Sequence, residues 1–319
     1  MEKEIKKSQF VGKSSRDAYG KVLVELGEKD ERVVAVTADL AGSVRMTEFK
    51  KRFPNRFFDF GIAEQDMMGA SAGLAITGKI PYTSTYAVFA SLRAAEQART
   101  DIAYNKLPVR ICATHSGIGF GVGGATHQSL EDIGIFRSMP GMTVLVPADG
   151  VETAAMMRTT LTLSGPAYLR LARPKEQTVY EQDFEYHIGK ADILIEGKDI
   201  AILACGGMVG RALSAAGLLK ESGINTSVVN MSTIKPIDKE TIIKVAESTG
   251  VILTVEEHSV INGLGSAVAE VIVEAGIKVR FKRHGILDVF TTSGPYEDLL
   301  TYYSLDAKGI AKTAQKLLM

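Results

Sequence analysis

The stretch IPYTSTYAVFASLRAAEQARTDIAYNKLPVRICATH, residues 80–115, decides the fold. Its two ends, IPYTST and VRICATH, are short apolar runs of the kind that lie in a sheet covered on both faces. Between them, residues from about 88 to 105 place apolar side chains at helical spacing. Strand, helix and strand in that order are the signature of an α/β chain. Working outward, the same alternation continues on both sides. Toward the N-terminus lie a helix over 15–28 capped by Ser14 or Ser15, a buried strand VVAVTAD (33–39), the strand NRFFDFG, and a small-residue helix from Ala63 to Thr77. Toward the C-terminus come the glycine-dense loop SGIGFGVGGATHQ (116–128), a short helix, the strand MTVLVPAD, a helix over 150–163 and the strand PAYLRLAR (166–173). The polar, aperiodic stretch PKEQTVYEQDFEYH follows, and the pattern restarts at Gly189. There ADILIEGKDIAILACGG reads as two strands around a turn, followed by a helix (209–222), NTSVVNM, a helix (238–249), VILTVEEH, a helix (262–275), VRFKRHG and a last helix (306–318). The expected architecture is α/β in two domains, a parallel-sheet domain over 1–175 and a smaller α/β domain over 189–319, joined by a linker at 176–188.

Composition agrees with a globular protein and narrows its partners. The chain has 319 residues, enough for two full cores, with 45% hydrophobic and 23% charged residues. Lys+Arg and Asp+Glu both number 37, so no bulk field recruits nucleic acid or an anionic membrane, and any phosphate must be gripped locally. MEKEIKKSQF has no apolar stretch behind its basic residues and does not read as a secretory signal, and no run approaches the ~20 apolar residues of a membrane span. Cys112 and Cys205 sit in separate apolar strands in no metal-binding spacing, which reads as two free core thiols and, by default, a reducing, cytoplasmic setting.

The chain has no GxxxxGKS/T loop, no HExxH and no G-x-S-x-G. GIGFGVGG imitates a dinucleotide fingerprint but opens no long helix after a strand. Open α/β sheets bind ligands beyond the C-terminal ends of their strands, and polar or aromatic residues gather at those ends here. They are Asp39 and Ser43, Glu64, Tyr86 and Phe89, His115, His127 and Arg173. On the residues alone, Glu64 also reads as a first-turn acid complementing a helix dipole, Asp39 as a helix cap, and Tyr86, Phe89 and Leu92 as a core stripe. The arginines and histidines read equally well as ion pairs. Arg170, on the same strand as Arg173, has no assignable direction.

Four segments, DFGIAEQDMMGASAGLA, PYTSTYAVFASLRAAEQARTDIAYNKLPV, THSGIGFGVGGATHQS and VEEHSVINGLGSAVAE, resemble the C-terminal portion of transketolases, from Arg16 to the end of the chain. The resemblance implies a thiamine-diphosphate pyrimidine-binding domain followed by a transketolase C-terminal domain. It implies that Glu64 hydrogen-bonds the aminopyrimidine, burial disfavouring the charged carboxylate so that a proton can be shared with the ring. Tyr86 and Phe89 would wall the pyrimidine, with Leu92 where many members have a third aromatic, and Asp39 would lie on the thiazolium side. His127 would contact the substrate near the reacting carbon, and Arg16, Ser43, His115 and Arg173 would cradle its phosphate. His115 and His127 join Glu64 as the implied catalytic set.

One departure stands in the glycine loop. Transketolases commonly carry an acid there, as in GEDG, that reads a donor hydroxyl; this chain has Val122 and Gly123 in those places. A second departure is larger. The family also needs a domain with a GDG motif that holds Mg²⁺ and the cofactor's diphosphate, and GDG is absent from this sequence. The resemblance therefore implies a split transketolase of the pentose phosphate pathway, with an α-like partner subunit supplying the other wall of the site, the pair assembled as α2β2 and acting on phosphorylated sugars. The β subunit of a 2-oxo acid dehydrogenase decarboxylase and a deoxyxylulose-phosphate synthase stand as alternatives within the superfamily. A non-catalytic assembly subunit stands outside it, as does a flavin or nicotinamide oxidoreductase.

Overall fold

A computed structural model describes residues 7–319. Most of the segment read as lacking a secretory signal lies outside them. The chain forms two mainly parallel sheets. The first has strands β1 (Val33–Thr37), β2 (Phe57–Asp59), β3 (Ile80–Ser84), β4 (Arg110–Ala113), β5 (Thr143–Leu145) and β6 (Ala167–Arg170). The second has β7 (Asp192–Ile195), β8 (Ile200–Ala204) and β9 (Thr226–Asn230), then, after β10 (Thr233–Lys235), β11 (Val251–Ser259) and β12 (Arg280–Ile286). The order is β10-β5-β6-β4-β3-β1-β2 in one sheet and β12-β11-β8-β9-β7 in the other. Every residue of β1, β3, β4 and β6 is buried, as a sheet covered by helices on both faces requires.

The first helix, Ser15–Lys29, starts where expected because the Ser14 side chain accepts the Asp17 N–H. The small-residue helix runs from Glu64 to Ile76. The helix expected over about 88–105 is not a regular α-helix: π turns at Phe89–Arg93 and Ala98–Ala103 flank an α turn at Ala95–Gln97. Ser91 donates its hydroxyl to the Ala87 carbonyl at 2.7 Å, a back-bond of the kind that bends a helix, and π turns of this kind recur at functional sites.

Three elements escape the sequence pattern. The helices Thr47–Arg52 and Tyr296–Tyr302 are too short to show a period, and β10 is only three residues long. Although it follows β9, β10 leaves the second sheet and pairs antiparallel with β5 in the first. One apolar core accordingly runs through both halves, from Ile133, Phe136 and Met139 to Leu203, Met231 and Leu264. Among the described residues no helix is long and apolar enough to cross a membrane. Cys112 and Cys205 are both buried and unbonded.

Candidate active site

The strand order places β1 between β2 and β3, so the connection after β1 runs one way and the return to β3 runs the other. That reversal opens a crevice at the C-terminal ends of the strands. Glu64 begins its helix directly after β2 and is 6% exposed. Its Oε1 is held by the Arg93 guanidinium at 3.1 Å, and among the described residues no hydrogen bond engages Oε2. Arg93 also lies 3.8 Å over the Phe89 ring, so the π turn that spaces Phe89 from Arg93 locks a carboxylate and a phenyl ring to one cation.

Phe89 leads into a cluster of rings. Tyr86 stacks on Phe89 with centroids 5.6 Å apart and tilts against His115 at 4.0 Å. His127 stands edge-on to Phe89 at 5.5 Å. Phe120, from the glycine loop, touches Tyr86, His115 and His127 at 5.5, 5.2 and 5.1 Å. The loop glycines let the chain bring this ring down: Gly117, Gly121 and Gly124 all adopt positive φ.

The basic rim is built on His115. Arg16 Nη1 approaches His115 Nε2 at 3.5 Å and donates to the Ser43 carbonyl at 3.2 Å. Arg173, exposed, lies 5.5 Å from the Phe120 ring. Because a guanidinium only donates, Nε2 of His115 is the acceptor, and Nδ1 carries the proton it gives to Thr114 Oγ1 at 2.8 Å. Burial and the nearby charges of Arg16, Arg173 and Arg45 pull this imidazole down to about 3, so it is neutral near neutral pH. Burial also lowers Arg16, whose Nε is buried without a partner among the described residues. A cleft of about 330 Å³ opens beside this group, lined by Arg16, Phe120, Arg173 and Tyr296. His115 (φ 60°) and Asp39 (φ 56°) are left-handed although neither is glycine, the kind of local strain that collects at binding sites.

The structure thus joins Glu64, Phe89, Tyr86, His127, His115 and Arg16 through consecutive contacts, with Ser43 and Arg173 at the rim. It does not join Asp39 or Leu92 to them. Asp39 is exposed, its N–H bound to Asp59 at 2.8 Å, and Leu92 is 55% exposed. Val122 is 74% exposed at the loop tip. Arg170 points the other way, into a fully buried pair with Asp132. Phe120 and Arg93 were missed. A lone large ring in a glycine run signals the first, and a cation four residues after Phe89 signals the second.

A buried carboxylate, an aromatic wall and a basic rim thus gather at the switch point of a parallel sheet, the place where α/β enzymes bind their ligands. Residues 12–177 match the family Transketolase, pyrimidine binding domain, and residues 189–310 match Transketolase, C-terminal domain. The chain belongs to the transketolase family. A Methanocaldococcus jannaschii protein provisionally named a transketolase C-terminal section is 48% identical over 95% of both chains. One subunit of the apulose-4-phosphate transketolase of Phocaeicola vulgatus is 42% identical over 94% of this chain and 96% of its own. A solved structure of a split gene transketolase, described as an inactive beta4 tetramer, superposes with a TM-score of 0.87 at 45% identity, covering 96% of this chain and 98% of the other. The relatives matched end to end are thus separate C-terminal sections and subunits.

Proposed function

We propose that this chain is the pyrimidine-side subunit of a split, thiamine-diphosphate-dependent transketolase, which moves a two-carbon ketol unit between phosphorylated sugars at an interface with a partner subunit. The observation that carries this is the convergence on one sheet edge of the buried Glu64 carboxylate with the Tyr86, Phe89, Phe120 and histidine rings. The aminopyrimidine half of thiamine diphosphate fits these residues: no hydrogen bond from the described residues engages Glu64 Oε2, and Phe89 is half-buried with one face covered by Arg93. The bound cofactor supplies the carbon nucleophile.

This chain's residues act around it. Glu64 holds or moves a proton at Oε2 while Arg93 fixes Oε1. Tyr86 and Phe89 keep the ring plane set. His127 braces Nδ1 against Thr126 Oγ1 at 2.9 Å and has Nε2 for the substrate oxygen near the reacting carbon. Arg16, Arg173 and Ser43 receive the phosphate with charge from the guanidiniums, while the neutral His115 imidazole, its Nε2 accepting from Arg16, sets the place of that guanidinium. The diphosphate and Mg²⁺ fall to a partner with the GDG motif, in an α2β2 assembly.

The test is reconstitution. We expect thiamine-diphosphate binding and ketol transfer from xylulose 5-phosphate only after co-expression with the diphosphate-binding subunit. Full activity of the isolated chain would overturn the partner, and pyruvate in place of the ketose as donor would overturn the reaction. A Glu64→Gln variant should lose roughly 10²- to 10⁴-fold in turnover, and normal turnover would remove its proton role.

A further inference from the structure

The loop of residues 117–129, between β4 and the helix Asp132–Ser138, opens and closes through a narrow neck where Gly117 and Ser129 exchange backbone hydrogen bonds at 2.9 and 3.0 Å. It carries Phe120 and His127, two rings of the candidate site. A loop tied at its ends in this way needs internal packing or a neighbour to hold its shape. The neighbour is the C-terminal half of the chain. Glu257, on β11, reaches into the neck: Oε1 accepts the Ile118 N–H at 2.8 Å and Oε2 accepts the Tyr296 hydroxyl at 2.7 Å. Gly117 has φ +62°, and a Cβ there would lie 2.3 Å from Glu257 Oε1, so the carboxylate fills the space a side chain would need.

The grip continues along the loop. Gln128 donates its amide to the Gly121 carbonyl at 3.1 Å and the Thr292 carbonyl at 3.2 Å, and accepts the Thr291 hydroxyl. A Cβ on Gly121 would meet the Gly294 carbonyl at 2.9 Å. The Ser259 N–H, two residues after Glu257, donates to the Leu130 carbonyl at 2.9 Å just past the neck. Burying a carboxylate is unfavourable unless its oxygens are bonded, and an apolar residue would fill this place more cheaply without holding the loop. What the carboxylate adds is two charge-assisted hydrogen bonds to defined atoms of the loop and of the helix behind it.

We propose that Glu257 is a positioning residue of the site: through it the C-terminal half sets the shape of the 117–129 loop and thereby the placement of Phe120 and His127. The loop-shaping itself is independent of the functional reading above, and its consequence for turnover rests on that reading. Hydrogen exchange on the isolated chain tests the first. Losing a bond to a charged acceptor should speed exchange at Ile118 and the following loop amides about tenfold to a hundredfold in Glu257→Ala, with β1 and β8 amides unchanged. Glu257→Gln keeps a carbonyl for Ile118 and an N–H for the Tyr296 oxygen, and should stay within about threefold of the native rates. Tyr296→Phe, a milder change that keeps the fold if Glu257→Ala does not, should loosen the loop partially.

Kinetics of the reconstituted complex test the second. Glu257→Ala should raise KM for xylulose 5-phosphate while thiamine-diphosphate affinity, titrated directly, is retained, because Glu64 and Phe89 lie outside the loop. Unchanged loop exchange, or protection lost equally in β1 and β8, would overturn the positioning role. A loosened loop with unchanged KM would overturn its link to substrate. If the native complex shows no ketol transfer, the functional reading fails, and the exchange result alone decides for or against Glu257.

Discussion

Replacing Arg170 by Met should destabilise the protein by about 3–5 kcal/mol, the cost of breaking a buried ion pair from one side. Arg170 Nε donates to Asp132 Oδ2 at 2.7 Å, and Nη2 donates to the Ser129 and Glu257 carbonyls at 3.2 and 2.9 Å. The side chains are 5% and 0% exposed, so water cannot replace what is lost. Among the described residues, Asp132 would keep only the Tyr168 hydroxyl, at 2.6 Å, as a hydrogen-bond partner. Two freed carbonyls push the figure toward the upper end, at ~1–3 kcal/mol each where water stays out. Against a typical total of roughly 5–15 kcal/mol, this removes a large share. Urea unfolding at pH 7, followed by circular dichroism and by tyrosine fluorescence, which the absence of Trp leaves unobscured, measures the change. Adding Asp132→Leu should recover part of the loss, because no unpaired charge remains buried, and the deficit should barely respond to salt. A loss under about 1 kcal/mol, or strictly additive single and double variants, would refute the reasoning.

Three further outcomes follow from the site and the core. Arg93→Met should cost under about 1 kcal/mol of stability, because the Arg93 side chain is 51% exposed, yet lower turnover of the complex roughly tenfold to a hundredfold by releasing Glu64; paired melting curves and kcat values separate the two. His115 has its folded-state value depressed to about 3, so the unfolded chain binds the extra proton first and stability is lost as pH falls from about 6.5 toward 3. The stability advantage of the native protein over His115→Asn should therefore shrink by about 1.4 kcal/mol per pH unit in that window, and a constant difference would contradict the neutral imidazole. The comparison must be made against the variant, since Glu152 and Glu256, pushed up to about 7 by burial, contribute with the opposite sign, their share of stability falling as pH rises through 7. Burial pushes both cysteine thiols up, so Cys112 and Cys205 should resist iodoacetamide in the folded protein and react fully in denaturant, as mass spectrometry will show.

The parallel sheet was legible because its strands are buried on both faces and leave continuous apolar runs, and the first helix because Ser14 marks its start. Most site residues were legible because they sit at strand ends, where chain direction alone places them. What failed to show depends on distance in sequence. β10 is too short to carry a period, and its partner β5 lies some ninety residues earlier. Arg170 and Arg173 look alike on one strand, and only the alternation of faces sends Arg170 inward to Asp132. The pairing of Arg93 with Glu64 depends on a π turn, which shifts register by one residue without altering composition. Glu257 stood in plain view in VEEH, but its meaning lies in a loop from the other half of the chain.

The crossing of β10 into the first sheet also bears on how the chain can be divided. A fragment ending at the polar stretch near residue 180 would keep β5 but lose the strand that covers it, presenting a raw row of unpaired amides and carbonyls along Thr143–Leu145. Such an edge recruits strands from other molecules, so the shortened piece is a candidate for self-association and precipitation. A protease nick in the same stretch, with both pieces present, would leave them clasped together by a backbone ladder.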